Sequence, residues 1–265
     1  MSIIRIFILL QALFTLFIAG GLFFKYNTVK NRSIGLFSVF FSLEMLYFLY
    51  GTSKISSNYP ELYGRYYFSV GLLYGPLLYW HFKSILNNDY RITIKDLIHI
   101  IPLIGLNIYI YNLIIMPASQ RVIYYTNEYN FYNCIIYLNY FRSFNQVVYG
   151  IILLFLVKQY KKQIEIHTKF YLSGLAIIYF SSTIVISFLV SFANTWRDFS
   201  IYYLLNNFMV FMIVYVLYKD PKYFKKIKLK YQHSNLSDSE IVLLKDKLLL
   251  FFKNKKGYLN RNLTI

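Results

Sequence analysis

The sequence predicts an all-α integral membrane fold: seven transmembrane helices with the N-terminus outside, followed by a cytoplasmic amphipathic helix. Three observations predict it. Seven apolar runs have the length of a bilayer crossing, cationic residues gather on one side of those runs, and the polar tail opens on a helix-start signal. The chain is 57% hydrophobic and 15% charged, against roughly 25% charged in ordinary soluble domains. That composition argues against a soluble protein.

A hydrocarbon core about 30 Å thick needs roughly 17–25 apolar residues in a helix, because lipid offers no partner to backbone N–H and C=O groups. Runs 3–24, 34–50, 66–82, 97–116, 132–157, 170–193 and 201–218 meet that need. The first exceeds the roughly 7–15 apolar residues of a secretory signal and leads into a charged turn, so it reads as a retained helix. The second holds Glu44 beyond its middle. The third carries Gly75, Pro76, Tyr79 and His81, and the fourth opens on Asp96, His99 and Pro102. Each proline should remove one intrahelical hydrogen bond. The two histidines read as polar anchors near the cytoplasmic end rather than as a metal pair.

The fifth run places Arg142 near its middle, with Asn139 before it and Asn145 and Gln146 after it. Asn139, Arg142 and Gln146 share one helical face by spacing. An ionised side chain at mid-bilayer costs at least about 2.5–3.5 kcal/mol, so it has to be compensated. A Glu44–Arg142 pair across the bundle interior would neutralise both. Such a pair can bind a polar or charged ligand, or serve as a plain structural ion pair; alternatively Arg142 snorkels to the outer interface. Candidate ligand-binding residues are therefore Glu44, Asn139, Arg142, Gln146 and, on the seventh run beside Asn207, Asn206.

The net charge of +17 is largely a topology signal rather than a nucleic-acid footprint. Lys25, Lys30 and Arg32 follow the first run, and Lys83, Arg91 and Lys95 lie between the third and fourth. Lys158, Lys161, Lys162 and Lys169 follow the fifth, and six lysines from Lys219 to Lys230 follow the seventh. Arg5, Lys54, Arg65, Arg121 and Arg197 fall on the other side. Short cytoplasmic loops carry the cationic excess, which puts the N-terminus outside and the C-terminus inside. The expected location is the bacterial inner membrane, multi-pass. An odd number of spans agrees with that orientation.

Cys134 is the single cysteine and reads as a small buried hydrophobe. The 29 Tyr and 25 Phe suit interfacial belts and lipid-facing packing. No zinc-protease, nucleophile-elbow or phosphate-loop motif occurs. Paired intramembrane carboxylates are lacking too. The expectation is a protein that is not an enzyme and has no metal or cofactor.

Residues 221–236 form a basic juxtamembrane linker: Pro221 ends the seventh helix, and the lysines after it suit an anionic lipid surface. Ser237 and Glu240 make a capping box that opens a cytoplasmic amphipathic helix over 237–257. Ile241, Leu244, Leu248 and Phe251 recur at spacings of three and four, which marks one apolar stripe along the helix. Gly257 supplies the stop. The stripe needs a partner: another protein, a second copy of itself or the membrane surface.

The tail KYQHSNLSDSEIVLLKDKLLLFFKNKKGYLNRNLTI, from Lys230 to Ile265, resembles the linker before the DNA-binding domain of AraC-type regulators of Bacteroidetes-like bacteria. LLYGPLLYW, DLIHIIP and YKDPKYF look like landmarks of the seven-helix membrane region of those proteins. The resemblance implies the membrane-embedded sensor of a one-component transcription regulator. It implies a homodimer through the tail and an unidentified small-molecule or membrane signal. Residues 258–265 would begin a helix-turn-helix module, so DNA would be a partner only through a domain absent from this sequence. The residues that would read DNA are not present. This departure leaves a truncated gene product or a stand-alone membrane domain as the expectation. The alternative function is a small membrane carrier or an unrecognised membrane enzyme.

Overall fold

The computed structural model describes residues 3–25, 28–87, 89–160, 165–193 and 195–219. All lie in the first of two units into which the chain divides, Met1–Lys226 and Ile227–Ile265. The linker, the tail helix and its stripe fall outside the described residues. Every regular element among the described residues is helical.

Helix α1 (Ile3–Lys25) and α2 (Val29–Gly51) form the first hairpin. The Thr28 hydroxyl caps α2 by accepting from the Asn31 N–H at 3.3 Å. A short α3 (Ile55–Asn58) and a 3-10 turn lead to α4 (Tyr67–Gly71) and α5 (Tyr74–Leu86). A 3-10 turn over Ile94–Ile100 precedes α6 (Ile101–Tyr109) and α7 (Tyr111–Ile115). Next come α8 (Ala118–Thr126), α9 (Glu128–Asn130) and a π-helical turn, Phe131–Ile135, that feeds α10 (Ile136–Tyr160). The last two helices are α11 (Ile166–Phe192) and α12 (Ser200–Lys219).

Among the described residues, five helical stretches are long and apolar enough to cross a membrane: Ile3–Phe24, Val29–Gly51, Glu128–Tyr160, Ile166–Phe192 and Arg197–Tyr218. They cover the first, second, fifth, sixth and seventh apolar runs. The third and fourth runs, which the sequence presents as continuous helices, are interrupted. Pro76 has no N–H to give the Leu72 carbonyl. The chain tightens there into i→i−3 bonds, Leu72 N–H to Ser69 O at 3.2 Å and Leu73 N–H to Val70 O at 3.1 Å, so α4 and α5 meet at a break. Pro102 behaves differently: it sits in the first turn of α6, where its missing N–H costs nothing.

Helix α1 packs on α2, α2 on α5, α5 on α10, α10 on α11, α11 on α12, and α12 back on α1. Six helices thus close a ring. Its interior is unlike that of a soluble bundle: Gln11, Ser42, Glu44, His81, Arg142, Gln146 and Thr183 are buried, while Phe7, Leu10, Phe17, Phe155 and Phe188 are exposed. Polar side chains are thus buried beside an apolar core that includes Phe41, Leu78 and Leu172, while many large apolar side chains face outward, as a lipid solvent permits. The chain is an α-helical membrane protein. Polar contacts join the helices internally, as where the Ser42 hydroxyl donates to Ala12 O at 2.6 Å and where Ser143 meets Ser187 at 2.5 Å.

A second apolar cluster joins Phe68, Leu72, Leu106, Ile110, Tyr125 and Leu138. Arg121, an outer-loop cation by sequence, is 1% exposed at its margin. Its guanidinium donates to Tyr63 O and Met116 O at 2.6 Å each and to Glu61 O at 2.5 Å. The Tyr125 hydroxyl, one turn on, donates to Gly64 O at 2.6 Å. Gly64 has φ +69°, and a Cβ there would run into the Tyr125 ring. α8 therefore clamps the 59–66 segment through its main chain.

Candidate functional site

The site is built on two helix faces. Along α2, Phe37, Phe41, Glu44 and Met45 turn inward; along α10, Asn139, Arg142, Ser143, Gln146 and Tyr149 do. Glu44 is 4% exposed and Arg142 is 1% exposed, and Arg142 Nη2 is ion-paired to Glu44 Oε1. The Tyr74 hydroxyl of α5 donates to the other carboxylate oxygen, and the Tyr203 hydroxyl of α12 donates to Oε1 at 3.3 Å. Four helices therefore converge on one carboxylate.

Aromatic packing aims these hydroxyls. The Tyr74 ring stands edge-on to Phe37 at 5.4 Å and to Phe41 at 6.1 Å, and the Tyr203 ring packs on Phe48 at 4.6 Å. The Arg142 guanidinium lies 4.7 Å from the centre of the Tyr67 ring, within cation–π range.

Arg142 also reaches the break between α4 and α5. Its Nη1 donates to Tyr67 O at 3.4 Å, and Gln146 Nε2 donates to Gly71 O at 3.1 Å. Donors four residues apart on α10 thus meet carbonyls four residues apart on α4. Gly71 is the last residue of α4, where the broken ladder leaves a carbonyl in need of a donor. Gly71 makes the approach possible, since a Cβ there would collide with the guanidinium.

Of the five candidate ligand-binding residues, the structure brings Glu44 and Arg142 into contact and sets Gln146 on the same break. Asn139 Nδ2 donates to Ile135 O at 3.0 Å in its own helix, and Asn206 Nδ2 donates to Tyr202 O at 2.9 Å in its own. Arg142 Nε, Gln146 Oε1 and Asn139 Oδ1 are buried and have no hydrogen-bond partner among the described residues. Sequence reasoning missed Tyr67, Gly71, Tyr74 and Tyr203. Only the glycine-proline pair after Gly71 signalled a break in the third run.

A cleft of about 650 Å³ opens beside the pair, walled by Phe40, Tyr47, Tyr67, Val70 and Leu103, with Glu44 reaching its surface. The Ser69 hydroxyl donates to Asn107 Oδ1 at 2.7 Å along its edge. The cleft has the size and apolar character of a small-molecule site.

The histidines lie elsewhere. His81 is fully buried, with Nδ1 2.8 Å from Lys30 O and Nε2 3.0 Å from the Tyr171 hydroxyl, so it ties α5 to α2 and α11. His99 Nδ1 is 2.7 Å from the Tyr149 hydroxyl. Among the described residues no three His, Cys, Asp or Glu side chains are grouped to hold a metal ion. Ile241, Leu244, Leu248 and Phe251 lie outside the described residues. Comparison of the chain with family models, curated proteins and solved structures gives no match.

Proposed function

We propose that this chain is the membrane-embedded input part of a one-component AraC-type transcription regulator. In this reading it has seven spans, an external N-terminus and a cytoplasmic C-terminus in the bacterial inner membrane. A signal reaching the bundle shifts it between two arrangements, and the 237–257 helix passes the shift, as a homodimer, to a DNA-binding module. The observation that carries the reading is the coupling of the Glu44–Arg142 pair to the α4–α5 break. A ligand in the adjacent cleft that drew on Glu44 would loosen Arg142, and with it the two carbonyls that Arg142 and Gln146 hold. A local charge contact would thereby bias a hinge. The unpaired polar atoms on the inner face of α10 offer such a ligand further contacts.

A carrier is the second reading, favoured by the interrupted third and fourth runs, since carriers place their sites at broken helices. The genomic DNA past codon 265 separates the two. A continuation, in frame or frameshifted, that encodes a helix-turn-helix supports the regulator. A downstream region encoding none in any frame overturns it.

A further inference from the structure

A separate cleft of about 400 Å³ lies where the start of α1, the end of α2 and the start of α12 meet, lined by Ile4, Arg5, Phe48, Thr52, Arg197 and Ser200. Two arginines from different helices line it, and no carboxylate does. Arg5 stands in the first turn of α1, which has no acidic residue. The positive end of a helix dipole favours anions, so a guanidinium there adds to local positive potential rather than relieving it. Arg5 Nη2 donates to Leu49 O at 2.9 Å, while its Nε is buried and has no partner among the described residues. Arg197 is exposed at the rim. Its sequence neighbour Asp198 accepts from the Thr195 N–H at 2.9 Å.

We propose that this cleft binds a phosphate group. Two guanidinium-bearing side chains in one cleft, from α1 and from the turn that precedes α12, suit an anion with several oxygens, which phosphate provides and a halide does not. Ser200 adds a hydroxyl at the wall, whereas the Thr52 hydroxyl is already donated to Phe48 O at 2.8 Å. Ile4 and Phe48 give an apolar surface for whatever the phosphate is esterified to. The group could arrive as a phospholipid head or as free phosphate. This site is independent of the sensor reading and does not involve the Glu44–Arg142 pair.

The test uses the full chain in an uncharged detergent, with thermal unfolding as readout. Phosphatidylglycerol, an uncharged glycolipid, inorganic phosphate, and chloride at matched ionic strength are added in turn. Binding to the folded state should raise the unfolding temperature by about 2–4 °C. The rise should occur with phosphatidylglycerol and be lost in Arg5→Gln and in Arg197→Gln. It should persist in Arg91→Gln, which removes an exposed cation outside this cleft. An equal rise with inorganic phosphate identifies free phosphate as sufficient; a rise with the lipid alone identifies the headgroup. Arg197 is exposed, so its replacement keeps the test valid should Arg5→Gln fold poorly. The proposal is overturned if neither phosphate source raises the unfolding temperature, if chloride does so equally, or if Arg197→Gln keeps the full effect.

Discussion

The Arg142 guanidinium rests on the α-carbon of Gly71, so closely that a methyl group on that glycine would occupy the same space. Gly71→Ala should therefore push Arg142 off both Glu44 and Tyr67 O without deleting a charge. The expected cost is about 1–3 kcal/mol, the usual range for overpacking a filled interior. Gly105→Ala on α6 is the control: a Cβ there meets nothing within 4 Å, and helix propensity should make the change neutral or stabilising by up to about 1 kcal/mol. Thermal unfolding of the detergent-solubilised chain compares them. Equal effects at the two glycines would contradict the packing described here.

Removing one member of the buried pair leaves the other charge uncompensated. Glu44→Gln and Arg142→Gln should each cost about 3–5 kcal/mol, and the double variant should cost less than their sum because the groups touch. Tyr74→Phe should cost about 1.5–3 kcal/mol, as for a hydrogen bond to a charged group. Tyr203→Phe should cost less, given its longer 3.3 Å contact. Unfolding temperatures across the series provide the measurement, and strict additivity of the Glu44 and Arg142 changes would refute the coupling.

Arg121 offers a planar fork to three carbonyls, which a lysine ammonium cannot reproduce. Arg121→Lys should loosen the 59–66 segment at a cost of about 1–3 kcal/mol. Trypsin cleavage after Arg65 should then speed up in the intact membrane protein. An unchanged cleavage rate would show that the clamp does not restrain this segment.

The spacing of Ile241, Leu244, Leu248 and Phe251 in the sequence motivates a prediction about assembly. Single cysteines at Leu244 or Leu248, in a chain with Cys134→Ser, should give cross-linked dimers in cells. Adding Leu244→Lys and Leu248→Lys together should abolish association while leaving part of any attachment to anionic lipid, since those changes add cations. Correctly inserted protein that cross-links at neither position would favour the lipid-surface alternative.

The pair was legible because charge inside an apolar run stands out: Glu44 and Arg142 are ionisable residues in segments otherwise rich in Leu, Ile, Phe and Tyr. The tyrosines that complete the site were not. With 29 of them in the chain, Tyr67, Tyr74 and Tyr203 carry no contrast with their neighbours, and only the meeting of α4, α5 and α12 singles them out. The burial of Arg121 was hidden for another reason. Its compensation comes from main-chain oxygens, which every residue possesses, so nothing in the sequence marks the partners. The breaks in the third and fourth runs escaped because apolar composition continues across them; Pro76 marks the first, and the second falls at Ile110 without a comparable signal.

The Arg121 clamp separates the shape of the 59–66 segment from its chemistry. Because the guanidinium holds the main-chain oxygen of the exposed Glu61 and not its side chain, that position can exchange charge or size while the same backbone path is kept. Neighbouring lineages can therefore repaint this face, and alter what it meets, on a mould that stays fixed.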